Sequence, residues 1–173
     1  MDTINGYFRA FGFAGKDLET VVDAFKLKTF KKNELLVQEG KISKHIGLVK
    51  SGMFQYFVIK DGEERTTYVN IANTWLASVM SFVSGRPAME NIRALTDGSI
   101  CMISRADLMR LVRDVPAFKD FYIMLLEQSI CGIDASRHDL IVLSAEQRYA
   151  KMLHTEQHLL QQIPLQRRVG KEC

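Results

Sequence analysis

Cysteine is scarce. Cys101, Cys131 and Cys173 are scattered and odd in number. Their spacing fits neither a metal-ligand set nor a disulfide framework, so a reduced, metal-free, cytoplasmic chain is expected. No apolar run reaches the ~18 residues that would suggest a membrane span. The chain does not open on a basic segment followed by an apolar stretch, which argues against a secretory leader. Histidine is also thin, and between Leu35 and Ile103 only His45 occurs, so the histidine cluster of a metal-dependent β-roll enzyme is lacking. There is no Gly-x-Ser-x-Gly elbow, P-loop or paired-carboxylate arrangement, so no enzyme is expected. The net charge of +3 neither demands nor excludes nucleic acid. Arg167, Arg168 and Lys171 read as a solvated basic tail.

What is present is ordered. The chain is 173 residues long and 47% hydrophobic, enough for one soluble domain plus an appendage. Gly40, Gly52 and Gly62 punctuate short alternating runs, with Ile46 and Leu48, then Phe54, Tyr56 and Val58, stepping by two. Strands are expected at Leu35–Gln38, His45–Lys50, Met53–Ile59, Thr66–Ile71, Ile92–Leu95 and Ser99–Ile103, with Cys101 in the core. Asp61-Gly62 suits a type I′ hairpin turn, and Asp97-Gly98 reads as a second such turn. Together these runs predict a small antiparallel barrel or roll.

Helices flank the roll. Leu18, Val21, Val22 and Phe25 predict a short amphipathic helix before the strands. Ser104 with Asp107 is a capping pair opening a helix that carries Leu108, Leu111 and Val112. Pro116 then opens a long helix to about Leu143. Along it Ile123, Leu126, Ile130, Ile133, Arg137 and Leu140 are spaced 3, 4, 3, 4, 3, a heptad-like seam with one charged interruption. Phe118, Phe121, Tyr122 and Leu125 lie beside the seam and are expected to pack on the roll. The seam outruns what so small a roll covers, so self-association as a homodimer is expected. Ser144-Ala145-Glu146-Gln147 is a second capping box, starting a helix with Tyr149, Met152, Leu153, Leu160 and Ile163 and stopping near Pro164. His154 and His158 share a face of that helix, but with no third ligand they read as solvated side chains.

This ordered set resembles the Crp/Fnr family of bacterial transcription regulators. The resemblance is carried by Glu39-Gly40, Ser51-Gly52, Asp61-Gly62 with Glu64-Arg65, Ile92-Arg93-Ala94-Leu95 and Ser104-Arg105-Ala106-Asp107-Leu108. It continues through Ser144-Ala145-Glu146-Gln147-Arg148-Tyr149 and Leu160-Gln161-Gln162-Ile163-Pro164-Leu165. It implies an α+β fold: an antiparallel β-roll, or jelly roll, of the cyclic-nucleotide-binding type, with flanking helices and a long C-terminal dimerisation helix. The domains expected are 1–113 as sensor roll, 114–143 as dimerisation helix and 144–173 as the first helix of a winged helix-turn-helix.

Two departures from the family pattern bear on function. Nucleotide-binding members place a Gly-Glu pair before a short helix and an Arg after it, to approach the cyclic phosphate, accept from the ribose and neutralise the charge. The matching positions here are Ala77, Ser78 and Ala88, beside Val79 and Met89, so carboxylate and cation are both missing. Losing two charged hydrogen bonds weakens binding by about a hundredfold or more. Cyclic AMP is therefore not expected as a ligand, and no cofactor is assigned. Arg86 is the nearest substitute cation. By ungapped spacing Ile133 and Asp134 fall nearest the family's adenine-contacting hydroxyls on the long helix, and the cysteines of its iron–sulfur branch are not seen near the N-terminus. The second departure is that Gln166 is followed only by Arg-Arg-Val-Gly-Lys-Glu-Cys. The resemblance thus implies a regulator truncated before its recognition helix, which on its own is not expected to read DNA. Two other readings are a module binding a small anion other than cyclic AMP, and an interaction protein forming heterodimers with intact relatives.

Overall fold

The computed structural model describes residues 2–144, 146–148 and 150–151. The expectations placed on Tyr149, on residues from Met152 onward, including His154 and His158, and on the basic tail lie outside the described residues. The chain divides into two compact units, with the boundary between Lys119 and Asp120.

Two helices open the first unit, α1 (Asp2–Ala10) and α2 (Gly15–Asp23). Eight strands and two helices follow: β1 (Lys26–Phe30), β2 (Leu35–Val37), β3 (His45–Ser51), β4 (Phe54–Lys60), β5 (Glu63–Asn70), β6 (Trp75–Leu76), α3 (Val79–Ser84), β7 (Asn91–Ala94), β8 (Gly98–Ser104) and α4 (Arg105–Asp114). The strands form two four-stranded sheets ordered β1-β8-β3-β6 and β2-β7-β4-β5. Every pairing is antiparallel. This is the expected jelly roll with flanking helices. The long helix α5 (Pro116–Val142) follows α4.

Alternation decides what each face buries. Phe30, Val49, Ile100, Phe54, Tyr56, Ile92 and Ala94 turn inward from both sheets and form the roll core with Leu76 and Ala88. The opposite face of the first sheet is apolar as well, because helices cover it. Leu48 and Ile103 lie there, both almost fully buried, and α1 and α4 pack against β3 and β8. Phe8 anchors that second core, its ring centroid 5.3 Å from Phe13, 5.5 Å from Phe25 and 6.0 Å from Phe118. Trp75 sits at its margin, where its indole Nε1–H donates to the Tyr7 hydroxyl at 2.9 Å. Cys101 is buried in β8 and Cys131 is exposed on α5.

Turn and cap chemistry held at most positions. Asp61 (φ 56°) and Gly62 (φ 80°) both take the left-handed conformation between the paired Lys60 and Glu63, as a type I′ turn requires. The Asp107 amide donates to Ser104 Oγ at 3.1 Å, and Ser104 Oγ donates to Asp107 Oδ2 at 2.7 Å. The Ser144 amide donates to Gln147 Oε1 and the Gln147 amide to Ser144 Oγ, closing the second box.

Asp97-Gly98 is a correction. Neither residue has positive φ, and β7 and β8 belong to different sheets, so this is a crossover and not a hairpin. Asp97 instead accepts from Lys31 Nζ and the Lys32 amide, both at 2.9 Å. Gly98 is required for a different reason: a Cβ there would stand 2.5 Å from the Ser51 carbonyl oxygen and 3.0 Å from Gly52 Cα.

Among the described residues, no helix is long and apolar enough to cross a membrane.

Candidate functional site

The cassette runs from β6 through α3 to β7. Ser78 sits at the N-cap of α3 without a side-chain capping bond, and Gly85 (φ 69°) ends the helix. Two ties fix this segment to the loop after β2. Ser81 Oγ donates to the Arg86 carbonyl at 2.6 Å and accepts the Ser43 amide at 2.9 Å. The Ala88 amide donates to the Lys41 carbonyl at 2.9 Å, and the Gly40 amide to the Ala88 carbonyl at 2.8 Å.

The six cassette positions divide by burial. Ala77, Ser78 and Ala88 are buried, and Ala88 belongs to the roll core. Val79, Arg86 and Met89 are exposed. Arg86 forms no ion pair with any described residue. The buried surface of the cassette thus presents methyl groups and a hydroxyl, with no full charge.

Tyr56 was not among the expected site residues, and it bonds to the start of the cassette. Its side chain crosses the core from β4 to the start of the cassette. The Ala77 amide donates to the Tyr56 hydroxyl at 3.0 Å, and that hydroxyl donates to the Ala77 carbonyl at 3.2 Å. The Ala77 backbone N–H is therefore already satisfied from within the protein. Burial pushes the Tyr56 phenol far above its ordinary value, so it stays protonated and keeps donating. The sequence signal was a tyrosine on an inward, apolar strand position, whose polar tip must find a partner.

The outer face of the second sheet holds a polar network. Arg93 makes a bidentate pair with Glu64, and its Nε–H donates to Gln55 Oε1 at 3.0 Å. The Arg93 guanidinium lies 4.4 Å from the centroid of the Phe57 ring. Each group is satisfied locally, as a structural network would be.

The second unit presents the expected seam. Ile123 and Leu126 are 44% and 40% exposed, and Ile130, Ile133 and Leu140 are each 66% exposed. Arg137 is exposed on the same stripe. Among the described residues, no group of three or more His, Cys, Asp or Glu is placed to hold a metal ion.

A model of the family described as "Cyclic nucleotide-binding domain" matches residues 27–114. The chain belongs to that family. Solved structures also resemble the chain. The chain is 22% identical to the Thermus thermophilus catabolite activator protein, at a TM-score of 0.63, with 87% of this chain and 70% of that one covered. It is 17% identical to a cyclic nucleotide-binding domain from Methylobacillus flagellatus, at a TM-score of 0.65, covering 75% and 73% of the two chains. It is 16% identical to the sensor domain of the transcriptional regulator DNR from Pseudomonas aeruginosa, at a TM-score of 0.57, covering 74% and 84%. At these identities the likeness is one of fold. No curated protein matches the chain.

Proposed function

We propose that this chain is the sensor and dimerisation portion of a Crp/Fnr-type transcription regulator, acting as a homodimer. On this reading residues 1–113 are the sensor roll, 114–143 the dimerisation helix and 144–173 the start of a DNA-reading domain. The observation that carries the reading is the apolar seam of α5, whose isoleucines and leucines are left open to solvent at heptad-like spacing. A second copy of the helix is the natural cover. Burying Ile130 and Ile133 would contribute roughly 1–2 kcal/mol per side chain, and a symmetric interface counts each twice. The likeness to a catabolite activator protein and to the sensor domain of a transcriptional regulator supports the regulator reading.

The proposal includes a cassette that does not grip cyclic AMP in the family's usual way. Supporting it are the side chains at Ala77, Ser78 and Ala88 and the Tyr56 hydroxyl at the Ala77 amide.

Sedimentation equilibrium of the full chain tests the dimer. A dimer is expected, and Ile130→Glu combined with Ile133→Glu is expected to raise its dissociation constant by about a hundredfold or more. A monomeric unsubstituted chain at high micromolar concentration would overturn the reading.

A further inference from the structure

The jelly roll changes character toward one end. On the inner face of the first sheet, Phe30, Ile100 and Val49 pack in the core. The register continues that face outward through Lys28 and Lys26 on β1, Met102 and Ser104 on β8, and His45 on β3. Positions that alternation reserves for apolar residues thus become basic. Gly47 lies on the same face, and a Cβ there would overlap Ile100 Cγ2, so its lack of a side chain keeps this end uncrowded.

Two cavities open at this end, and both are lined by His45 and Met102. The first, about 180 Å³, lies under Lys41 and Lys44, with Leu36, Leu76 and Met102 among its lining. The second, about 190 Å³, is lined by Lys26, Lys28, Ser104 and Asp107. Among the described residues, Asp107 is the one carboxylate lining either cavity, and Arg110 holds it at 2.8 Å. Among the described residues, no carboxylate lies within ion-pair distance of Lys26, Lys28, Lys41 or Lys44. The site therefore combines an apolar floor with a positive rim that the protein does not neutralise. It shares none of the cassette positions Ala77, Ser78, Arg86 and Ala88.

We propose that this open end is a binding site for a small amphipathic anion, a carboxylate on a short apolar chain. The carboxylate meets Lys41, Lys44 and His45, and the chain lies on Leu36, Leu76 and Met102. Size selects the class. A 180 Å³ cavity is below the roughly 300–1,000 Å³ that takes a drug-sized molecule, so a nucleotide is too large. A bare inorganic anion leaves the apolar floor unused. The inference does not rest on the regulator reading, since the site exists whether or not the roll controls transcription.

Calorimetric titration of the full chain with hexanoate tests it. Acetate supplies the charge without the tail, and 1-hexanol the tail without the charge. Saturable hexanoate binding is expected, with acetate and hexanol each weaker by about tenfold or more. Lys41→Gln with Lys44→Gln, both at exposed positions, is expected to weaken hexanoate by about tenfold and to leave the sedimentation mass unchanged. Met102→Trp, which fills the floor, is expected to abolish binding, with circular dichroism reporting whether it folds. Absence of hexanoate binding up to roughly 10 mM, equal binding of acetate, or indifference to the lysine pair would overturn the proposal.

Discussion

At position 56 a phenylalanine would keep the packing and leave the Ala77 amide without its acceptor. A buried donor stranded in this way costs about 1–3 kcal/mol. Tyr56→Phe is therefore expected to lower unfolding free energy by that amount in urea denaturation, although it removes a single oxygen. The same hydroxyl couples stability to pH. Burial raises the phenol's folded pKa well above the unfolded value of about 10. The unfolded chain therefore loses its proton first. Stability from this group is complete below about pH 10 and declines as pH rises toward the folded value. Tyr7 acts in the same direction, also through burial. Melting temperatures between about pH 8 and pH 11 should fall more steeply in the unsubstituted chain than in Tyr56→Phe. The contact was not legible in the sequence, because Tyr56 and Ala77 lie on separate elements and the acceptor it serves is backbone. Ala77, Ser78 and Ala88 stood out only through the family resemblance. Nothing in composition singles out three small residues at these positions.

Elements differed in how openly the sequence declared them. The β4–β5 hairpin and the start of α4 rest on local chemistry, a left-handed Asp61-Gly62 pair and a Ser104 cap, and both could be read directly. Asp97-Gly98 offers the same dipeptide as the hairpin, yet Lys31 and the Lys32 amide claim the aspartate and the two strands part to opposite sheets. Tertiary contacts overrode turn propensity there. Gly98→Ala places its Cβ against backbone at Ser51 and Gly52, with no flexible side chain to yield. It is expected to cost about 1–3 kcal/mol or more, measured as a lower denaturation midpoint with an unchanged slope. Three elements have bounds that the sequence does not show, for separate reasons. β6 is two residues long and exists through its pairing with β3. β1 carries lysines on its inward face, which hides the core-facing period. In α1, Gly6 interrupts the run between Ile4 and Phe8 and weakens the helical signal.

At the scale of the whole molecule, the two sheets of the roll meet over a core of their own side chains. Its core is closed by Phe30, Phe54, Tyr56 and Ile92, and the cassette is tied down by Ser81 and Ala88. This leads to a direct expectation for cyclic AMP. A ligand binding at about 1 µM and supplied at about 1 mM adds roughly 4 kcal/mol, which raises the melting temperature of a chain this size by roughly 10 °C. A rise under about 1 °C is expected at that concentration, and a rise near the full value would show that the cassette still grips the nucleotide. The indole–phenol bond between Trp75 and Tyr7 supplies the means to watch such events. Because the chain has one tryptophan, its emission comes from a single place, where the N-terminal helix meets the edge of the first sheet. The protein thus carries a native optical gauge at the junction of that helix with β6.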